Sequence, residues 1–154
     1  CRSEGHILRF IEYMDVGTLN SWDIKNVVNS EYILKIISNN YKLSKIEKNY
    51  PSETSNRFSF DDGKGEIGFI SSISNPFCDN CTRARITADG KLVTCLFANK
   101  GMNLKSMLRS KKSNEYITSE IINMWKLRDD KYSLERSTSK IKVKNKIEMF
   151  QTGG

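Results

Sequence analysis

The sequence predicts a mixed α/β protein in which a strand and a helix are followed by two β-hairpins and further helices. Residues 5–14 form a nearly continuous apolar run, which is typical of a strand in a parallel sheet that helices cover. Two turn signals, at residues 61–65 and 88–90, each separate a pair of strand-like segments. Segments with helical periodicity follow three N-cap candidates: Ser30, Asn103 and Ser113.

The first predicted strand, residues 5–14, contains two charged residues, Arg9 and Glu12, among its apolar ones. A charged pair inside a buried strand is costly unless both groups are satisfied locally. Two interpretations stay open. Either the strand lies at a sheet edge with both charges in water, or both charges face the interior of a barrel, where ligands bind near the strand ends.

The next predicted element is a helix that Ser30 caps and that ends at residues 39–40. Its expected apolar face consists of four side chains: Tyr32, Ile33, Ile36 and Ile37. The polar segment of residues 41–56 is predicted to connect two domains, residues 1–42 and residues 43–154. A first hairpin should follow, with strands at residues 57–60 and 66–72.

Two helices are predicted after the second hairpin. Asn103 is expected to cap a short helix that ends at Arg109, and Ser113 to cap a longer one over residues 114–128. The longer helix carries an apolar stripe that favours a core position over a cofactor contact: Ile117, Ile121, Met124 and Trp125. Residues 129–138 are predicted to be a loop. Residues 140–149 are predicted to form a strand with a basic outer face.

The second hairpin carries three of the four cysteines in a C-x2-C-x13-C arrangement, as Cys78, Cys81 and Cys95. Its strands are predicted at residues 82–86 and 91–96, on either side of the Asp-Gly turn. A turn centred near residue 89 would pair Cys95 with residues 82–83. The third thiol should therefore lie beside the first two.

Three soft thiolates at one point suit an iron–sulfur cluster or zinc. A structural zinc site has four protein ligands, and the hairpin offers no fourth, because His6 and Cys1 lie at the far N-terminus. We therefore favour a cluster that keeps one iron open for a substrate. Arg83 and Arg85 should leave the same strand face, and their planar guanidinium groups suit a phosphate chain.

Two other interpretations of the hairpin remain open. The first is a basic zinc-binding module for nucleic acid, in which Phe77 and Phe97 offer stacking surfaces. The second is a structural domain whose cysteines are buried thiols without a metal. Metal content separates both alternatives from the cluster hypothesis.

Composition sets wider limits. Hydrophobic residues make up 38% and charged residues 28% of the 154 residues, with a net charge of +7, which is typical of a soluble globular protein. No apolar run approaches membrane-spanning length, and no signal peptide is present. Four unevenly spaced cysteines indicate a reducing compartment rather than a disulfide framework. Because the chain starts with Cys1 rather than Met and enters a strand-like segment within a few residues, we expect it to be the C-terminal piece of a longer protein.

The cysteine segment resembles the C-terminal cluster motif of the GTP 3′,8-cyclase family, whose members are radical S-adenosylmethionine enzymes. The resemblance rests on FCDNCTRAR at residues 77–85, DGKL at residues 89–92 and CLF at residues 95–97. Four further segments resemble the family in order along the chain: residues 9–17, 65–70, 130–136 and 153–154.

The resemblance implies a fold and a set of site residues. Residues 1–42 would be the last strand and helix of an incomplete (βα) TIM-like barrel, and residues 43–154 an α+β iron–sulfur domain that binds GTP. Three cysteines would hold a [4Fe-4S] cluster with one open iron: Cys78, Cys81 and Cys95. Arg83 and Arg85 would bind the triphosphate with the backbone of Ala84 between them. Met14 would contact S-adenosylmethionine, and the Gly153–Gly154 tail would reach into the active site.

The resemblance also implies an activity, which is the conversion of GTP to (8S)-3′,8-cyclo-7,8-dihydroguanosine 5′-triphosphate, the first step of molybdenum cofactor biosynthesis. The C-x3-C-x2-C motif of the family's radical-generating [4Fe-4S] cluster does not occur here, so we expect this chain to be inactive alone and assign it no catalytic residue. GTP and S-adenosylmethionine are the implied partners, without nucleic acid or membrane, and a homodimer stays open. The product would go to cyclic pyranopterin monophosphate synthase, in the cytoplasm of a bacterium or the mitochondrion of a eukaryote.

Overall fold

A computed structural model describes residues 1–136 and 146–152 of the chain. The chain divides into two compact units. The first unit comprises residues 1–14 and 22–81, and the second comprises residues 15–21 and 82–154. This division differs from the predicted boundary after residue 42, and the assignment of residues 1–42 to a separate domain stays a prediction.

The first unit contains a four-stranded sheet. Its strands are β1 (Leu8–Ile11), β2 (Leu43–Ile46), β3 (Asn56–Phe60) and β4 (Glu66–Ile70), in the order β1-β4-β3-β2. β1 runs parallel to β4, and the other pairs are antiparallel. The predicted hairpin of β3 and β4 is confirmed. Strand β2 corrects the prediction of a connecting segment, because a four-residue strand with apolar residues only at its two ends gives a weak alternating signal.

One helix, α1 (Ser30–Ser38), packs on this sheet. Its N-cap is Asn29 rather than Ser30, because the Asn29 side chain accepts a hydrogen bond from the Glu31 amide at 2.7 Å. Three of its side chains pack against the core of Phe60, Ile67 and Phe69: Ile33, Leu34 and Ile37. The predicted apolar face is wrong at Tyr32 and Ile36, which are exposed on the neighbouring stripe of the helix.

Strand β1 lies at an edge of the sheet that the described residues form. Phe10 stacks on Phe69 with ring centroids 5.3 Å apart, whereas three other apolar side chains of the predicted strand are exposed: Ile7, Leu8 and Ile11. The prediction of a strand buried on both faces is therefore wrong for the described residues. Arg9 forms an ion pair with Glu66 at 3.2 Å. The edge interpretation fits Arg9 but not Glu12, which is buried.

The second unit contains a three-stranded antiparallel sheet in the order β5-β6-β7, made of β5 (Arg85–Ile86), β6 (Lys91–Val93) and β7 (Met102–Asn103). The predicted hairpin is confirmed, with shorter strands than expected. Its register pairs Arg85 with Val93 and Ile86 with Leu92, so the turn is centred on Asp89 as predicted. Gly90 has a φ of +84°, a conformation that glycine adopts without strain.

Three helices follow in the second unit: α2 (Leu104–Arg109), α3 (Asn114–Lys126) and α4 (Tyr132–Glu135). The predicted caps are confirmed, since the Asn103 side chain accepts from the Ser106 amide at 2.9 Å and the Ser113 hydroxyl accepts from the Tyr116 amide at 3.2 Å. Helix α4 corrects the prediction of a loop at residues 129–138. Ile117, Ile121 and Met124 of the predicted stripe on α3 are half-buried, whereas Trp125 is exposed.

The predicted last strand falls partly outside the described residues, at residues 140–145. Within the described part it is wrong, because residues 146–148 have no regular structure and Met149–Thr152 forms a 3₁₀ turn. No helix of the described ranges is both long and apolar enough to cross a membrane.

Candidate functional site

The two arginines of the second hairpin lie on one side of the chain. Arg83 and Arg85 are half-buried and Thr87 is buried, whereas Ala84 and Ile86 between them are exposed. This alternation has the two-residue period of an extended segment, which favours the predicted placement of both guanidinium groups on one side. The exposed Ala84 leaves room on the opposite side of the backbone.

Polar side chains fix the turn of this hairpin. The Thr87 hydroxyl donates to Asp89 at 2.5 Å and accepts from the Lys91 amide at 2.9 Å. The hydrogen bonds from Lys91 and Thr87 lower the pKa of Asp89 to about 2. A Cβ at Gly90 would lie 2.7 Å from Cβ of Lys105, so the turn packs closely on the start of α2.

Cys78 and Cys81 belong to the first unit. Cys78–Asn80 forms a single 3₁₀ turn, and the Cys81 amide donates to the Cys78 carbonyl at 3.1 Å. Neither cysteine forms a disulfide, and both are half-buried. The segment before them begins with another turn, in which the Asn75 amide donates to the Ser71 carbonyl at 2.9 Å.

The carboxylate of Glu12 holds this segment at the end of β1. One of its oxygens accepts from the amides of Ile73 and Ser74, both at 2.8 Å. The other accepts from the Ser74 hydroxyl at 2.6 Å and from the amide and hydroxyl of Ser30 at 3.0 and 2.9 Å. Burial raises the pKa of Glu12, but the hydrogen bonds from Ser74, Ser30 and Ile73 outweigh it and lower the pKa below its ordinary value.

Cys95 belongs to the second unit, forms no disulfide and is also half-buried. Its sulfur accepts a hydrogen bond from the Phe97 amide at 3.4 Å, and its carbonyl accepts from the Ala98 amide at 3.3 Å. Cys95, Phe97 and Tyr132 are among the residues that line a cavity of about 280 Å³. The amides of Phe97 and Ala98 therefore hold Cys95 within a tight loop.

Cys78 and Cys81 lie in one compact unit and Cys95 in the other, so the convergence of the three thiols stays a prediction for the described part of the chain. No group of three Cys, His, Asp or Glu side chains there is arranged to hold a metal ion. The donor set itself suits a soft centre, since none of the three cysteines forms a disulfide and the sulfur of Cys95 accepts an amide hydrogen bond.

A buried ion cluster in the second unit is centred on Asp15, which is 7% exposed. Its carboxylate accepts from the Tyr132 hydroxyl at 2.5 Å, from Arg136 at 2.9 Å and from Lys146 at 2.9 Å. Lys146 also donates to the Asp15 carbonyl at 2.8 Å. Burial raises the pKa of Asp15, but these hydrogen bonds and the charge of Arg136 hold it below its ordinary value.

An aromatic pair adjoins the Asp15 cluster. The ring of Phe97 stacks on that of Tyr132, with centroids 4.5 Å apart and planes inclined by 23°. Arg136 and Lys146 both lie over this pair, at 4.6 to 5.7 Å from the ring centroids. Burial and the Asp15 carboxylate raise the pKa of Tyr132. The phenol therefore stays protonated and keeps donating to Asp15.

The described part of the C-terminal segment is attached to the same unit. Glu148 accepts from the amide and the hydroxyl of Thr18, both at 2.7 Å. Gly17, beside the Glu148 carboxylate, has a φ of +72°, a conformation that other residues rarely adopt without strain. The Ala88 amide donates to the carbonyl of Gln151 at 2.9 Å. The chain is thus fixed up to residue 151, while Gly153 and Gly154 lie outside the described residues.

The remaining predicted site residue is Met14, which is half-buried. In the sequence it lies between two buried acidic residues, Glu12 and Asp15. Glu12 and Asp15 themselves were not assigned a role by the sequence, and neither were Tyr132 and Arg136. All four lie in segments on which the family resemblance rests, residues 9–17 and 130–136. That resemblance was the only sequence signal that pointed to these four residues, because acidic residues near the end of a strand are common and do not by themselves indicate a function.

The fold and these residues together define a class, namely a mixed α/β protein with two separate sheets and a basic hairpin that cysteines flank in sequence. Comparison with known proteins identifies the family. Residues 6–134 match the family described as Molybdenum Cofactor Synthesis C, and the chain belongs to it.

Curated relatives share one name, GTP 3′,8-cyclase. The chain is 42% identical to that of Xanthomonas campestris pv. campestris (strain B100) over 153 residues, which are 99% of this chain and 44% of the relative. It is 44% identical over 136 residues to that of Acidothermus cellulolyticus, covering 86% of this chain and 38% of the relative. For Aquifex aeolicus the identity is 42% over 150 residues, covering 97% and 43%. The chain thus spans less than half the length of these relatives.

Proposed function

We propose that this chain is the C-terminal part of a GTP 3′,8-cyclase and provides its substrate-binding cluster site. The observation that carries the proposal is the identity of 42% to a curated GTP 3′,8-cyclase over 99% of this chain. Family membership supports a role in molybdenum cofactor synthesis. The reaction of the complete protein would convert GTP to (8S)-3′,8-cyclo-7,8-dihydroguanosine 5′-triphosphate.

In this proposal Cys78, Cys81 and Cys95 hold a [4Fe-4S] cluster. Their half-buried thiols form no disulfide and are suitable donors, and the amide hydrogen bond to the Cys95 sulfur is of the kind that tunes such clusters. When bound, the cluster supplies one iron without a protein ligand, to which a purine can coordinate. Binding of the cluster to cysteines from both units would stabilise the folded chain, because the free energy of metal binding adds to that of folding.

Arg83 and Arg85 bind the triphosphate of GTP in this proposal. Their position on one side of the chain allows both to contact the same phosphate chain, and the exposed Ala84 leaves its backbone accessible between them. Holding the triphosphate in this way orients the ribose and base before any reaction, which lowers the entropic barrier of the later step.

The remaining assignments concern the complete protein. Met14 contacts S-adenosylmethionine, the Gly153–Gly154 tail enters the active site, and residues 1–42 complete a partial barrel. The exposed edge of β1 supports the last assignment, because parallel strands are rarely left open to solvent. The radical itself would come from a second cluster outside this chain.

Anaerobic purification tests the proposal. We expect a brown protein with about four iron and four sulfide ions per chain, as a [4Fe-4S] centre requires. Cys81→Ser and Cys95→Ser should each remove most of the iron, whereas Cys1→Ser, the matched control, should not. A colourless protein with one zinc per chain would favour the nucleic-acid module instead, and a metal-free protein would favour a purely structural role for the thiols.

A further inference from the structure

We propose that Asp15 is a positioning residue that holds the sulfur of Cys95 in place through Tyr132 and Phe97. The inference rests on the proposed function, in which Cys95 is a cluster ligand. This role concerns a buried ion cluster in which none of the proposed GTP-binding or metal-binding residues takes part.

The Asp15 cluster is an expensive arrangement if stability is its only purpose. Arg136 and Lys146 are 12% and 9% exposed in their side chains, and both are paired with the buried carboxylate of Asp15. Buried ion pairs of this kind contribute little net stability compared with apolar residues of the same volume. What they do provide is a fixed geometry, since every charged atom needs its partner in place.

A short series of contacts joins Asp15 to the Cys95 sulfur. The Tyr132 hydroxyl donates to Asp15 at 2.5 Å, and the Tyr132 ring stacks on Phe97 at 4.5 Å. The Phe97 amide donates to the sulfur of Cys95 at 3.4 Å. The hydrogen bond to Asp15 holds the Tyr132 ring, which in turn holds the Phe97 ring stacked on it. The position of Phe97 then fixes the backbone amide that donates to the Cys95 sulfur.

The other side of the same loop is held by the segment that contains Lys146. The Ile147 amide donates to the Ala98 carbonyl at 3.1 Å, while Lys146 donates to the carboxylate and the carbonyl of Asp15. Residues 95–98 thus lie between two supports that share one carboxylate. Removing that carboxylate should loosen the loop. It also leaves two buried cations without their partner, so a general loss of stability needs its own control.

The accessibility of each cysteine in the metal-free protein is a direct test. The protein is treated with iodoacetamide for increasing times, and mass spectrometry of its peptides gives the alkylation rate of Cys95 relative to Cys78 and Cys81 in the same sample. Asp15→Asn and Tyr132→Leu should raise this ratio by roughly fivefold or more, because access to a sulfur follows local opening. Tyr132→Phe keeps the ring and loses only the hydroxyl, and should give a smaller rise.

Asn103→Ala is the matched control, because it weakens the second unit at the cap of α2 without touching the Asp15 cluster. It should leave the ratio unchanged. An unchanged ratio in Asp15→Asn would overturn the inference, and so would an equal rise in Asn103→Ala, which would reveal a general loss of stability.

A second readout uses the protein reconstituted with iron and sulfide. Asp15→Asn should retain iron and shift the midpoint potential of the cluster, since hydrogen bonds to ligand sulfurs help to set it. The same potential in wild type and variant would contradict the inference. Absence of iron from the wild-type protein, together with a raised alkylation ratio, would instead overturn the proposed function and leave the positioning of Cys95 supported.

Discussion

Single residues in this chain acquire their roles from what surrounds them. Arg83 and Arg85 are half-buried and lie on one side of an extended segment, whereas Arg109 on α2 is an exposed helix residue. Asp15 and Glu12 are acidic residues three positions apart, and each is buried among its own set of donors. Residue type alone does not separate these cases, but burial and partners do.

The phosphate role of the arginines can be tested by comparing two ligands. Arg83→Ala or Arg85→Ala should weaken GTP binding by about tenfold to a hundredfold, because one charge-assisted, bidentate contact is lost. Guanosine, which has no phosphate, should bind as before. Calorimetric titration of both ligands measures the difference, with Arg109→Ala as the control variant. Equal weakening for GTP and guanosine would refute the role.

Among the elements, the end of β1 shows how a carboxylate organises neighbouring segments. Glu12 joins β1 to the start of α1 and to the turn that precedes Cys78, through five hydrogen bonds. Every donor is a backbone amide or a serine hydroxyl, so the carboxylate must be ionised to accept from all of them. The first unit should therefore depend on the charge state of this residue.

Stability should follow that charge. The pKa of Glu12 is lowered by folding, so its contribution is present above its ordinary pKa of 4.5 and is lost as the pH falls through the lower folded value. At pH 7, Glu12→Gln should lower the free energy of unfolding by about 2 kcal/mol, as expected for hydrogen bonds to a charged group. Urea unfolding between pH 3 and pH 7 should show this difference shrinking below pH 4.5.

The exposed Glu47→Gln is the control and should have little effect at any pH. A difference between wild type and Glu12→Gln that stays constant down to pH 3 would mean that the charge of Glu12 is not what holds these segments.

For the whole molecule, local signals in the sequence predicted more than distant ones. The caps at Asn103 and Ser113 and the turn at Asp89 depend on residues a few positions apart, and all three are confirmed. The Asp15 cluster joins residues 117 and more positions apart, which no periodicity reveals. The exposure of three apolar side chains on and beside β1 was mispredicted for a related reason. An apolar run predicts a buried strand, but it does not show which residues would cover it.

The candidate site divides in the same way. The cysteine spacing and the two arginines could be read directly from the sequence, and the family resemblance could be drawn from the motifs around them. Which carboxylates support those segments could not, since Glu12 and Asp15 act through donors distant in sequence. The assembly of the three thiols stays a prediction, because Cys78 and Cys81 belong to one unit and Cys95 to the other.

The central claim is that these thiols hold a cluster whose open iron receives a guanine nucleotide. Electron paramagnetic resonance of the reduced, reconstituted chain, recorded before and after adding GTP, tests it most directly. We predict that GTP changes the spectrum of the cluster and that CTP, with the same triphosphate but no purine, does not. An unchanged spectrum at saturating GTP, or the same change with CTP, would contradict the claim.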